Sequence, residues 1–419
     1  MYTTRKKAVI IGCGIAGPAV AMLFKRVGID ATIYEAQAAP DDYAGLFLNL
    51  ASNGREVLRT LGLDDRLASE GFACPRMIMW SGSGKRLGEV RNGAASGQGA
   101  VSVIMKRGAL HQIFREAATQ QGIMIAYGKQ LTNIEMSAEP GVTAVFADGT
   151  TATGDFLVGC DGIQSRTRQI IDPSAPAPSY TGLISCGGFA RSTTLPSTPD
   201  TQHFIFGKRA FFGYLVKPDG EIYWFNNLSY PGAPRRSELE AIPHDEWQRM
   251  LLALHNDDQP FIQDIIRATT GDIGRYPIYD IPTLPRWRRG PMILVGDAAH
   301  ATSPSAGQGA SLALEDAIML AKCVRDLPEL EDAFAAYERR RRARAERIVR
   351  SSRARGQNKA ITNPIMRRLR DLTLPFFLKR FANSDSLNWL YDYKVDWDEP
   401  LEEAAYGATG AAKASSDVR

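Results

Sequence analysis

Lys7-Ala8-Val9-Ile10-Ile11-Gly12-Cys13-Gly14-Ile15-Ala16-Gly17-Pro18 decides how this chain folds. Ala8–Ile11 is a short apolar run that stops at glycine, the pattern of a strand buried on both faces of a parallel sheet. A helix is predicted from Ile15 to Val27, with Pro18 tolerated in its first turn and Gly28 closing it. Ala31–Tyr34 then reads as a second strand that ends at Glu35, completing a right-handed βαβ unit. In that setting each glycine has its own task. Gly12 permits the tight turn, Gly14 lets the backbone approach a pyrophosphate, and Gly17 lets helix and strand pack closely. Ile15 and Ala16 open the helix, whose free N–H groups amount to roughly half a positive charge facing the phosphates. Glu35, about 20 residues on, stands where an acid pairs with ribose hydroxyls. The motif alone does not choose between FAD and NAD, nor between either and a glycine-rich turn with no ligand.

Two later segments repeat the strand-to-glycine pattern. The strand Asp155–Gly159 leads into Asp161-Gly162-Ile163-Gln164-Ser165-Arg166-Thr167-Arg168. There Asp161 is placed to accept from backbone amides or ribityl hydroxyls, although alone the segment is also an ordinary Asp-Gly turn. Met292–Val295 leads into Gly296-Asp297-Ala298-Ala299-His300, with Asp297 placed to accept from a ribityl hydroxyl. Pro304-Ser305-Ala306-Gly307-Gln308-Gly309 then opens a helix whose amides would face a flavin ring edge and stabilise negative charge on the reduced ring. One FAD threading all three segments explains their order.

Between these segments the character changes. His203–Phe206, Phe211–Val216 and Ile222–Asn227 are aromatic-rich strand candidates, with a Pro218-Asp219-Gly220 turn before the last. The fold class predicted is α/β: a Rossmann-like FAD-binding domain (1–75, 100–172 and 277–360) with an inserted, mostly antiparallel β-sheet substrate domain (76–99 and 173–276). C-terminal helices (361–402) and a disordered Ala/Gly/Ser-rich tail (403–419) follow.

The chain has 419 residues, 44% hydrophobic and 23% charged, with a formal charge of +4. That balance gives no case for nucleic acid and mildly favours acidic small molecules. Five scattered cysteines and five histidines without ligand spacing argue against a disulfide framework or a metal site and for a reducing cytoplasm. Arg5-Lys6-Lys7 and the apolar run after it imitate a secretion signal, but the stretch before Cys13 is too short for a signal core. No membrane span is expected.

The chain resembles the class A flavoprotein monooxygenases, the para-hydroxybenzoate hydroxylase-like family. The resemblance covers roughly residues 7–345 and is carried by Gly12–Gly17 with Glu35, by Arg107 in Lys106-Arg107-Gly108-Ala109-Leu110, by Asp161–Arg168, and by Gly296–Gly309 with Glu315-Asp316-Ala317. It implies FAD contacts at Arg107 (the ribityl–phosphate region) and Asp297, and handling of both FAD and the nicotinamide cofactor at Asp161. It also implies NADPH or NADH as reductant without a separate nicotinamide domain. O2 would yield a flavin hydroperoxide that transfers oxygen to an aromatic or polycyclic, polyketide-like small molecule. One departure is the stretch Gln37–Tyr43, which carries Asp41-Asp42 where many relatives have an arginine.

The cofactor carries the reactive chemistry, so no nucleophile is required and no base is identified. His300 is a candidate proton handler, with a structural role beneath its loop as the competing reading. Phe212 and Tyr214 share one strand face, as do Trp224 and Asn226, and these four are the candidate substrate contacts, with core packing as the alternative. Gly45–Asn49 either approaches the flavin or forms a strand. The arginine-dense segment 339–355 reads as a solvated helix or, alternatively, a partner or membrane surface. Two other functions stay open: a flavin-dependent reductase or dehydrogenase without oxygen insertion, and a non-catalytic ligand-binding protein on a flavin scaffold. Oligomeric state is not legible.

Overall fold

The computed structural model describes residues 5–41, 45–94, 100–136, 141–192, 194–359, 361, 363–381 and 385–401. Its first layer is a six-stranded sheet in the order Arg288–Arg289, Met292–Leu294, Phe156–Gly159, Lys7–Ile11, Asp30–Tyr34, Met124–Ala126. All neighbours are parallel except the outermost Arg288–Arg289 pair. The central strands are continuous apolar runs because both faces are covered. Ala8, Val9, Ile10, Leu157, Val158, Ile293 and Leu294 are fully buried. The three predicted strand-to-glycine segments therefore end side by side: Ile10 pairs with Val158, and Val158 with Ile293.

The helix Ala16–Arg26 (the nucleotide helix) covers this sheet and packs on the helix Gly309–Asp326 (the hub helix). The hub helix in turn packs on the long helix Leu330–Lys359.

A seven-stranded sheet forms the second layer: Thr269–Asp280, Ser179–Arg191, Glu221–Ser229, Ala210–Val216, Thr201–Phe206, Arg76–Ser81, Arg86–Arg91. It is antiparallel but for one pair, Thr201–Phe206 beside Arg76–Ser81. Of the segment 76–99, the strands Arg76–Ser81 and Arg86–Arg91 belong to this sheet, and 95–99 lie outside the described residues. The sequence reading of 173–276 as sheet alone missed helices at His244–Leu254 and Pro260–Arg267, which back this sheet through Trp247, Leu251, Ile262, Ile265 and Ile266. The helix Pro364–Phe381 (the roof helix) lies against Arg86–Arg91. The expected tail 403–419 lies outside the described residues, as does part of the loop after Gln37. Among the described residues no helix is long and apolar enough to cross a membrane.

The arginine-dense segment is only half solvated. Arg339, Arg340 and Arg350 are exposed, but Arg341 is fully buried and joins both Glu315 and Asp316 at 2.7 Å. Arg344 holds Glu315 through Nε and Nη2, and Arg347 stacks on Trp389 at 3.9 Å. Consecutive residues of a helix point in different directions while those one turn apart share a face, so Arg341 and Arg344 meet the hub helix and Arg339 and Arg340 meet solvent, which composition alone could not separate.

Asp316 is the junction of this network. Its Oδ2 accepts from the Gly296 N–H at 3.0 Å and from His300 Nε2, and its Oδ1 accepts from Arg341 Nε at 2.7 Å. Burial alone would raise its pKa. The charges and hydrogen bonds of His300 and Arg341 override that and bring it to about 2. A carboxylate depressed on folding stabilises above its unfolded pKa of about 4, and that stability is lost as pH falls through the folded value. Asp316→Asn is therefore expected to cost about 3–5 kcal/mol in urea unfolding at neutral pH, because it removes one of the two carboxylates that neutralise buried Arg341 and the partner of His300. The gap to the parent should narrow between pH 4 and 2.

Candidate functional site

The two layers enclose a cavity of about 1140 Å³, above the roughly 300–1,000 Å³ usual for a small-molecule site. The three glycine segments line one side of it. A Cβ on Gly14 would meet nothing within 4 Å, so the backbone there is open to an incoming phosphate. A Cβ on Gly12, at φ +102°, would lie 2.4 Å from the Cys160 carbonyl oxygen, and one on Gly17 would lie 2.0 Å from the Gly12 oxygen. Ile15 makes no side-chain cap, so the first N–H groups of the nucleotide helix have no side-chain acceptor. Half-buried Glu35 sits at the edge of this turn, accepting from the Cys13 N–H at 2.7 Å and the Gln37 N–H at 2.9 Å.

Gly296, at φ +64°, turns the third strand so that Asp297 enters the cavity. Asp297 is exposed, yet desolvation by the protein around its carboxyl raises the pKa, against the pull of Arg107 and His300. Arg107 lines the same space. Its N–H donates to the Leu46 carbonyl at 2.9 Å, and its side chain lies against Gly45, where a Cβ would come within 3.0 Å of Cδ. Gly45–Asn49 lines the cavity, and Phe47–Leu50 is a strand.

Pro304, Gly307 (φ +62°), Gln308 and Gly309 form the opposite lip. The Gln308 side chain is buried and accepts from Asn53 at 2.9 Å, yet its Nε2 and the Ser305 Oγ have no hydrogen-bond partner among the described residues. The hub helix starts here without a side-chain cap. An open glycine backbone, two uncapped helix starts, a carboxylate in the cavity and orphaned polar atoms fit an elongated ligand with phosphates at one end and a hydrogen-bonding ring at the other. Gly14–Ala16, Arg107, Asp297 and Pro304–Gly309 would hold FAD, with Glu35 at the ribose.

Two sequence candidates sit elsewhere. Asp161 spends both carboxylate oxygens on its own loop: Oδ1 accepts from Ser165 Oγ at 2.5 Å, and Oδ2 from the N–H and Oγ1 of Thr167 at 2.9 and 3.0 Å. Burial raises its pKa, partly offset by those bonds. Its neighbours Cys160, Gly162 and Ile163 line the cavity instead. Arg168, quoted in the motif without a role, staples this loop to the Asp297 turn by donating to the Ile163 and Ala298 carbonyls at 2.7 and 3.0 Å. His300 is buried beside Asp316, packs on Trp287 at 5.2 Å and borders a separate cavity of about 220 Å³. It is a positioning residue under the Gly296 turn, not a group lining the large cavity.

The four aromatic-sheet candidates share a face, as alternation required, but it is the far one. Phe212 and Trp224 are fully buried under the helices that sequence reading missed, and Tyr214 packs there on Phe261. Asn226 bonds His255 Nε2 at 2.6 Å, and His255 Nδ1 meets Asp258 at 2.9 Å. The cavity face is offset by one residue: Gln202, Phe204, Phe206, Phe211, Phe225 and Asn227. The roof helix closes it with Met366, Leu369, Leu374 and Phe377.

Comparison with known proteins bears on this geometry. A family model described as FAD binding domain matches residues 5–352. The chain is 29% identical to the 6-hydroxynicotinate 3-monooxygenase of Pseudomonas fluorescens, over 82% of this chain and 89% of that protein. It is 28% identical to the FAD-dependent urate hydroxylase of Klebsiella pneumoniae, over 88% and 95%. The crystal structure of Klebsiella pneumoniae HpxO with FAD and uric acid is similar with a TM-score of 0.80 at 25% identity, covering 92% of this chain and 97% of that one.

Gly17→Ala is expected to yield protein with little flavin absorbance and a lowered melting temperature, since its methyl has no space short of moving the Gly12 turn. Asn226→Ala should cost about 1–3 kcal/mol of stability by stranding His255, while leaving ligand affinity within about twofold.

Proposed function

We propose, from the premise that this chain belongs to the FAD binding domain family, that it is an FAD-dependent monooxygenase hydroxylating a small aromatic molecule with O2 and NADPH or NADH. One observation carries the reading: a single cavity joins the lip of Asp297 and Gly307–Gly309 to the phenylalanine face of the second sheet. A flavin edge and an apolar substrate ring would thus share one enclosure. Relatives named for hydroxylating nitrogen-containing rings support a compact aromatic substrate.

Bound FAD, once reduced, supplies the oxygen-activating chemistry. The chain supplies binding, orientation and exclusion of water. The uncapped N-terminus of the hub helix offers N–H dipoles to negative charge on the reduced ring. Asp297 would accept from the cofactor's hydroxyls, and the Gly296–Asp316 bond holds the turn that presents it. Phe204, Phe206, Phe211 and Phe225 orient an aromatic ring, and the roof helix excludes water from it. The five free cysteines fit a reducing cytoplasm.

Purified protein is expected to be yellow and to release fluorescent FAD on heating. NADPH or NADH should bleach it faster when an aromatic ligand is present, with one hydroxylated product per O2 consumed. NADPH oxidation that yields only hydrogen peroxide with every aromatic tested would mark a reductase, and flavin that never bleaches would mark a binding protein. Asp297→Ala should weaken FAD binding by about 10- to 100-fold, read by equilibrium dialysis.

A further inference from the structure

On the phenylalanine face the cavity carries charge that a flavin does not account for. Lys359 ends the long helix and points its Nζ between two rings of the second sheet, 4.4 Å from the centre of Phe211 and 5.5 Å from that of Phe225. It donates to Asn227 Oδ1 at 3.3 Å. Asn227 is buried and its amide Nδ2 donates to the Asn226 carbonyl at 3.2 Å, which leaves Oδ1 facing the lysine. No carboxylate among the described residues lies within ion-pair distance of Lys359.

The other charges lining the cavity do not supply one. Arg91, Arg107, Arg355 and Arg370 are basic, and Asp297 is the one acid among the described lining residues. Arg107 and Asp297 attract each other at the flavin side. Arg370, from the roof helix, is paired with Asp371 at 2.7 Å and stacked on Phe206. Arg91 donates to Asn388 Oδ1. Arg355 precedes Lys359 by one helical turn and adds positive charge. The sheet presents only neutral groups to Lys359. Desolvation, with repulsion from Arg355, pushes the amine down to about 7. A half-buried ammonium against aromatic faces, with no carboxylate partner among the described residues, is suited to bind an anion.

We propose that Lys359, positioned by Asn227, recognises an anionic oxygen on the aromatic substrate, either a carboxylate or an ionised ring hydroxyl, while the ring rests among Phe204, Phe206, Phe211 and Phe225. This rests on the monooxygenase reading and narrows its substrate to aromatic anions. A purely structural lysine, tying the long helix to the sheet, would leave ligand selectivity untouched.

Calorimetric titration of flavin-loaded, full-length protein tests it. Two matched pairs are used: benzoate against benzamide for the carboxylate, and pentafluorophenol, ionised at neutral pH, against pentafluoroanisole for the ring oxyanion. At pH 6 the anion of at least one pair is expected to bind 10-fold or more tightly than its neutral partner. The preference should shrink as pH rises above about 7, because the free amine loses the proton that the complex needs. Lys359→Met should weaken the anion by about 10- to 100-fold, shift the neutral probe less than about twofold and flatten the pH dependence. Lys359→Arg should restore the preference without its decline above pH 7.

Equal binding within both pairs, no binding of any probe, or a preference that survives Lys359→Met overturns the inference. If FAD retention and coupled oxygen use persist in that case, the monooxygenase reading stands alone. Wild-type protein that takes up no FAD sinks both.

Discussion

One buried carboxylate holds the site together. Asp316 fastens the Gly296 turn, His300 and Arg341 at once, and Glu315 beside it fastens Asn53, Arg341 and Arg344. The last strand of the nucleotide sheet, the hub helix and the long helix thus meet at adjacent residues. Two buried acids and a fully buried arginine are stable there only because each is paired several times over. The long helix then runs from this junction to the second sheet, where its last residue reaches Asn227. The same rigid rod links the flavin lip to the aromatic face.

The cavity exists because the two layers bury different things. The nucleotide sheet is apolar on both sides, and the second sheet is backed by the helices at 244–254 and 260–267, with Phe212, Trp224 and Ile262 in that core. The opposite face of the second sheet lines the cavity. It meets the glycine segments across a gap, and the roof helix covers what remains. The phenylalanines on that face pack on one another and present a wall for a ring.

Much of this was legible from residue order. The strand–glycine–helix–strand–acid run, the segments at Asp161 and Asp297, and the glycine loop before the hub helix are local patterns with local causes, and the parallel strands bring them to one edge. For Asp161 and His300 the residues left two roles open, a ligand or proton partner and a bond within the protein, and the structure shows the second kind of bond for each. An acid near a glycine turn serves a ligand or its own backbone, depending on where the next helix starts, and here Ser165 and Thr167 claim it. The arginine-dense stretch shows the same limit: charge counts do not reveal that Arg341 lies inside while Arg339 and Arg340 face water.

The sequence by itself determined the nucleotide half and its ligand class, because backbone turns and strand periods are set by residues close together in the chain. Which face of the aromatic sheet lines the cavity was decided only by tertiary structure. Alternation places Phe212 with Tyr214, and Phe211 on the other side, but names neither side as the cavity. That choice was made by helices packed on the far face and by Lys359, Arg355 and the roof helix arriving from more than a hundred residues away, and no local pattern encodes a surface that distant segments complete.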